Sequence, residues 1–353
     1  MYWVLGTINF TLTNPKFIQE SDIVRFHKWM ETRGWRFSDY PLDPMSTDYS
    51  VSHIDGRDSL LRWDTDIAEW ERTENIPHHL MQMYTHLGVV SNNTPLPLCE
   101  TCNHHQDCWQ GYEHRKPLDQ DNIHWSHVCL PWIGEKYNTF RIVVIGINPY
   151  ESGGLDFFRV LIPQAKEEMA RGKIKVRFNN PTYAGTILWH RIGLYASQTI
   201  LKFVDEDDPL TFPELSHIDA YDWIAFTNHV KCSPTGDRSQ PSRAMWENCH
   251  SILKEELRIL NPKILFVLGT GDNIFYLRKN VLDENPLFID ETKFVRIFLG
   301  KLHGRTVGII NVPHPTAPAR GASPQISRDL NTLLFKYAPT LQNVLHLPRP
   351  KTL

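Results

Sequence analysis

The sequence predicts an α/β fold: a three-layer α/β/α sandwich with a central four-stranded parallel sheet, plus a mainly helical N-terminal extension. Three observations predict it. Four short apolar runs, RIVVIGI (141–147), DWIAFTN (222–228), KILFVLG (263–269) and TVGIINV (306–312), are dense in Val, Ile and Phe and lack polar alternation. That is how strands buried on both faces of a parallel sheet read. Helical segments fall between these runs, and strand–helix alternation is the mark of an α/β layer architecture. The third observation is a break in composition: residues 1–98 carry 8 Lys/Arg against 13 Asp/Glu and are rich in tryptophan, whereas residues 99–353 are slightly basic.

The elements follow in order. In the acidic extension, 1–98, two stretches read as helices, Ile18–Thr32 and Ser59 to Glu71; in the second, Leu60, Leu61, Trp63, Ile67 and Trp70 recur at helical spacing. The Pro/Asn segment SNNTPLPL then reads as a connector into a cysteine-rich stretch. In the second domain, 99–353, helices are expected at Leu155–Gly172, Thr186–Phe203 and Pro241–Leu260. Ligand sites of such sheets lie at the carboxyl ends of the strands. Here those ends read GINPY, FTNHVKC, LGTGDN and NVPHPTAPAR.

Composition sets bounds on function. The chain has 353 residues, 41% of them apolar and 22% charged, with a formal net charge of −3. This is an ordinary folded composition, and it excludes a protein that coats nucleic acid through bulk positive charge. No apolar run approaches the ~18 residues of a membrane span. The start, MYWVLGTINFTLTNPK, lacks a basic segment and a small-residue cleavage site, so a soluble cytoplasmic protein is expected. A monomer is expected.

Two constellations carry chemistry. Cys99 and Cys102 form a C-x-x-C pair, and Cys232 and Cys249 flank the loop KCSPTGDRSQPSRAMWENC. Four thiolates suit a structural zinc ion or an iron–sulfur cluster, and spacing alone puts zinc first. His104, His105 and Cys108 are close enough in sequence to serve as alternative ligands. The second constellation is Asn148, Asn228 and His314, each just after a strand. Any one of them has a plain structural reading, as a turn former or loop cap. Three at the ends of three parallel strands converge on one crevice, which points to a site.

The stretch FTNHVKCSPTGDRSQPSRAMWENC, then ELRILNPKILFVLG, then HPTAPAR, resembles the uracil-DNA glycosylase superfamily, above all its iron–sulfur group, often called family 4. That group has a TN-x-VKC-x-P segment, an Arg-x-Pro loop, a cysteine early in the next helix, a strand ending LG, and an HPS segment with an arginine six residues after the histidine. Here His314 and Arg320 keep that interval, with Thr316 in place of Ser. The resemblance covers about 99–335 and implies a [4Fe–4S] cluster on Cys99, Cys102, Cys232 and Cys249, with Cys108 and Cys129 as spare buried thiols.

The resemblance implies a monofunctional DNA glycosylase that hydrolyses the bond from uracil or another modified pyrimidine to its sugar. Such an enzyme holds the flipped base in a pocket. The Asn228 amide, with a donor and an acceptor, would read the base edge. His314 would hydrogen-bond to the charge developing on the base oxygen, and Asn148 would position the water. The first motif here is GINPY, Gly146 to Tyr150, where the iron–sulfur group has GEAPG. Its Asn agrees with relatives carrying G-x-NPG, and its Tyr with the main uracil-specific family, where it excludes thymine. Phe178 or Tyr183 would stack on the base. The segment NNPTYAG (179–185) lies some thirty residues after the first motif, behind an extra helix. An insertion beside the base pocket also fits an enlarged substrate, such as hydroxymethylated or glucosylated cytosine in phage DNA, excised in antiviral defence. DNA contacts are expected from Arg238, Arg243 and Arg320, with phosphate as the natural partner. Residues 301–328 contain Lys301, Arg305, Arg320 and Arg328 and no acid.

Two other classes compete. LGTGDNIFY after a strand suggests nucleotide binding, but the G-x-G-x-x-G fingerprint fails at Ile274. A non-catalytic DNA-binding protein on the same fold has no physical need of Asn148, Asn228 and His314 together.

Overall fold

The structure is a computed structural model that describes residues 8–11, 20–37, 48–53, 76–87, 104, 107–108, 130–148, 157–171, 181–203, 215–231, 241–315 and 323–347. The chain divides into two compact units, Met1–Met83 and Tyr84–Leu353.

In the first unit, β1 (Ile8–Thr11), α1 (Glu20–Glu31), β2 (Trp35–Phe37) and β3 (Asp48–His53) are followed by the start of α2 (Ile76–His86). The three strands form an antiparallel sheet in the order β1-β3-β2. Beside its helices, the extension thus holds a small antiparallel sheet that was not expected. These strands are three to six residues long, too short for a period-2 pattern to stand out beside the helical repeats. The expected helix at 18–32 is present as α1; the one at 59–71 lies outside the described residues.

The second unit continues with β4 (Trp132–Ile133), α3 (Tyr137–Phe140), β5 (Ile142–Gly146), α4 (Phe157–Ala170), α5 (Pro181–Phe203), a 3-10 turn (Asp219–Trp223) and β6 (Ile224–Asn228). There follow α6 (Arg243–Leu260), β7 (Ile264–Leu268), α7 (Asp272–Tyr276), a π-helical turn (Leu277–Val281), β8 (Leu287–Glu291), β9 (Arg296–Leu302), β10 (Arg305–Val312) and α8 (Ser323–Leu345). One mixed seven-stranded sheet, ordered β4-β6-β5-β7-β10-β9-β8, organises this unit. Its parallel core, β6-β5-β7-β10, consists of the four apolar runs. The sheet is larger than four strands because β4 adds antiparallel to β6, and β9 and β8 add antiparallel beyond β10. β8 and β9 are half solvent-facing and carry Glu, Asp, Arg and Lys, so their sequence lacks the buried-strand signature.

Alternation along the strands assigns the two faces. Ile142, Val144, Phe226, Phe266, Leu268, Ile310 and Val312 share one buried cluster with Phe158 and Ile162 of α4, Trp189 and Ile192 of α5, and Leu330 and Leu334 of α8. On the opposite face Thr227 hydrogen-bonds to Glu256 of α6 at 2.9 Å, so helices pack on both sides. The α6 helix starts at Ser242, whose hydroxyl accepts from the Met245 amide at 3.1 Å, and ends at Asn261 in the left-handed conformation. Both are ordinary helix-capping chemistry. No described helix is long and apolar enough to cross a membrane.

Candidate active site at the carboxyl edge of the sheet

The alternation that buries the core also places the polar residues. Along β5 the row Ile142, Val144 continues to Gly146 and Asn148; along β6, Ile224 and Phe226 lead to Asn228; along β10, Ile310 and Val312 lead to His314. All three polar residues therefore stand at the carboxyl edge with the parity of the face covered by α4, α5 and α8. Gly146 and Asn228 are direct partners in the parallel register. A Cβ on Gly146 would meet Asn228 Oδ1 at 2.2 Å and Phe226 Cζ at 3.1 Å. The Asn228 amide thus lies over the glycine, and only glycine leaves room for it.

The strand ends are tied to one another. The loop after β6 pairs with the loop after β5: the His229 amide donates to the Gly146 carbonyl at 3.0 Å and the Val230 amide to the Ile147 carbonyl at 2.9 Å. Asn273, in the segment that resembled a nucleotide fingerprint, is buried and acts as a clasp. Its Nδ2 donates towards the carbonyls of Leu268 (2.8 Å), Ile145 (3.1 Å) and Gly146 (3.2 Å), and its Oδ1 lies 3.1 Å from His229 Nδ1. Because the Asn273 amide nitrogen is the donor to those carbonyls, His229 carries its proton on Nδ1. Between β5 and β10, strand β7 ends at Gly269, with φ at +104°. Its amide donates to the Val312 carbonyl at 2.7 Å, and its carbonyl accepts from Asn311 Nδ2 at 2.9 Å. Asn273 and Asn311 are buried polar residues that hold the edge together. Sequence reading missed both; their signal was an Asn inside an apolar strand and an Asn in the first turn of a helix after a glycine.

Electrostatics set the protonation states. Burial holds the His314 imidazole at about 4, well below its ordinary value, so it is neutral at physiological pH. Burial likewise pushes His229 down to about 3, the bond to Asn273 only partly opposing it. Next to His314, Arg191 of α5 donates to the Pro315 carbonyl and so braces that loop from the helix layer. Lys231 is buried and ion-paired with Glu256, while its ammonium also donates to Thr227 Oγ1 at 3.0 Å and to the Asn228 carbonyl at 2.5 Å.

The remaining expected residues divide clearly. Cys249 is buried in the second turn of α6, in a cluster with Val230, Met245, Trp246, Tyr276 and Cys108. Ser242 donates to the Cys108 carbonyl at 3.1 Å, which fixes Cys108 near the start of that helix. Cys99, Cys102, Cys232, Tyr150, Phe178, Arg238 and Arg320 lie outside the described residues, and Tyr183 falls in α5 at a position whose side chain is also outside them. Among the described residues no group of three or more His, Cys, Asp or Glu is arranged to hold a metal ion. Arg243 is exposed on α6 and paired with Glu247 at 2.7 Å. Lys301 pairs with Glu284 at 3.2 Å, and Arg305 donates to Asn261.

Residues 134–334 match the family model described as the uracil DNA glycosylase superfamily. The chain belongs to the uracil DNA glycosylase superfamily. The matched span contains the whole parallel core and all three polar residues of the carboxyl edge. Superfamily membership implies glycosylase-type activity on DNA; the match does not divide the superfamily into its groups. Among curated proteins, none matches the chain.

Proposed function

We propose that this chain is a monofunctional DNA glycosylase that hydrolyses the N-glycosidic bond of uracil or another modified pyrimidine and leaves an abasic site. The observation that carries the reading is the convergence of Asn148, Asn228 and a neutral His314 on one edge, with Gly146 kept bare beneath the Asn228 amide. The flipped base pairs its edge with the Asn228 amide, which offers one donor and one acceptor direction. As the bond breaks, negative charge grows on the pyrimidine oxygen. His314 donates to that oxygen from a site of low polarity, where a fixed donor is worth most. Asn148 orients the attacking water; as an amide it takes no proton, so leaving-group stabilisation dominates. A lyase route needs a free amine near the sugar. Lys231 is the lysine closest in sequence to the site, and its three donors are already used on Glu256, Thr227 and the Asn228 carbonyl, which favours simple hydrolysis.

A [4Fe–4S] cluster on Cys99, Cys102, Cys232 and Cys249 belongs to the same proposal. The described part of that set fits. Cys249 is buried in an apolar shell of Trp246, Met245, Val230 and Tyr276, the dry surroundings in which thiolate-held clusters are stable. The cluster would supply a structural brace for the loop that follows Lys231. Zinc on the same four thiolates is the alternative.

A larger substrate, such as a hydroxymethylated or glucosylated cytosine, is the alternative, suggested by the helix α4 inserted between the first motif and α5. The test is a panel of labelled oligonucleotides containing uracil, hypoxanthine, hydroxymethylcytosine or glucosylated cytosine, treated with the protein and then with alkali. Strand breakage at one modified base, dependent on alkali, is expected. Breakage without alkali would contradict the monofunctional reading, and no breakage on any substrate would contradict the enzyme.

A further inference from the structure

Underneath the Asn228 loop lies a buried polar network that excision chemistry does not use. Glu256 of α6 is fully buried and accepts on both oxygens: Oε1 from the Tyr84 hydroxyl, Oε2 from Thr227 Oγ1 and from the Lys231 ammonium. Lys231 in turn donates to Thr227 Oγ1 at 3.0 Å and to the Asn228 carbonyl at 2.5 Å. Every proton of the ammonium and both carboxylate oxygens therefore have partners, as a buried pair requires. Tyr84, itself fully buried, lies fifty residues upstream of the span that matches the family.

We infer that Tyr84 is a positioning residue for base recognition, acting through Glu256 and Lys231 on the backbone of Asn228. The inference rests on the glycosylase reading above. Stability alone gives no reason for such a network, since a buried ion pair is often no better than apolar side chains of the same size. What it does supply is a fixed point. The Asn228 carbonyl is clamped by an ammonium that is itself clamped by a carboxylate, so the side-chain amide above Gly146 has one position. Without the Tyr84 hydroxyl, Oε1 of Glu256 would be a buried acceptor lacking that donor. The carboxylate would then turn to find another donor, and Lys231 and the Asn228 carbonyl would move with it. The catalytic domain would thus depend for its precision on a segment outside the family match.

The test is a double-mutant cycle of Tyr84→Phe with Asn228→Ala, read as single-turnover excision of the base that the wild-type chain removes in the oligonucleotide panel. Phe keeps the ring and deletes one oxygen. Expected is a roughly tenfold loss of the chemical rate with unchanged DNA affinity in the wild-type background, and no further loss in the Asn228→Ala background, the non-additivity of residues acting through one group. Should Tyr84→Phe fail to fold, Thr227→Val takes its place, with Thr227→Ser as the conservative rescue. The same loss in both backgrounds, or no loss in either, overturns the inference while leaving the glycosylase reading intact. A wild-type chain that removes no base overturns the reading itself, and the inference with it.

Discussion

Gly146→Ala probes the site at its tightest point. The new Cβ would stand 2.2 Å from Asn228 Oδ1 and 3.1 Å from Phe226 Cζ. The amide must therefore withdraw by roughly 1 Å, and displacement on that scale in a catalytic constellation costs about 10²-fold in rate, or about 2.7 kcal/mol of barrier. The backbone cannot absorb the shift, because the Asn228 carbonyl is held by Lys231 at 2.5 Å and the Gly146 carbonyl by the His229 amide at 3.0 Å. The accompanying loss of stability is that of mild overpacking, about 1–3 kcal/mol. The assay is single-turnover excision with enzyme in excess, beside DNA affinity by fluorescence anisotropy and a thermal melt. The expected result is a rate reduced by about two orders of magnitude with DNA affinity nearly unchanged, since phosphate contacts rather than one base contact carry most of the binding. An alanine variant that melts lower yet excises at the wild-type rate would refute the idea that the Asn228 amide is positioned by the bare glycine.

Other perturbations follow from the same geometry. His314 is held neutral with a pKa of about 4, so kcat/KM for excision should show no step near pH 6.5 attributable to it and should fall only as pH approaches 4; a loss of activity centred near 6.5 that disappears in His314→Gln would contradict this. Buried His229, at about 3, binds its proton in the unfolded chain below about pH 6.5 and refuses it when folded. Stability therefore falls as pH drops through that window, by about 2 kcal/mol between pH 7 and 5 from this group, and urea unfolding of His229→Gln should show a correspondingly shallower slope. Lys231→Met leaves the Glu256 carboxylate buried without its cation, and denaturant unfolding should show a loss of about 3–5 kcal/mol. Purified protein should be brown with iron and acid-labile sulfide, and Cys249→Ala should bleach it; a colourless protein with stoichiometric zinc would overturn the cluster.

The parallel core was legible because its strands are buried on both faces, leaving uninterrupted Val, Ile and Phe in four separate runs. The edge strands β8 and β9 were not, since their half-exposed residues mix Asp, Glu, Arg and Lys into the pattern. Asn148, Asn228 and His314 were legible from position alone, each following a buried run. What the sequence could not display was the support beneath them. Asn273 bonds to carbonyls of strands more than a hundred residues away, and the Tyr84–Glu256 bond spans 172 residues. Neither leaves a local spacing to read. Lys231 is similar: adjacent to Cys232 it suggests a cluster loop, and only burial against Glu256 assigns it to the floor of the site.

Base excision is proposed to occur at this edge of the sheet. Its most direct measurement is mass-spectrometric detection of the free base released from a modified duplex, by the wild type and by the double variant Asn228→Ala, His314→Ala. Expected is stoichiometric release of one modified pyrimidine by the wild type and at least a thousandfold slower release by the variant, in line with about 10²–10³ for a single lost transition-state donor. Release of the base at an undiminished rate by the double variant would place the chemistry elsewhere.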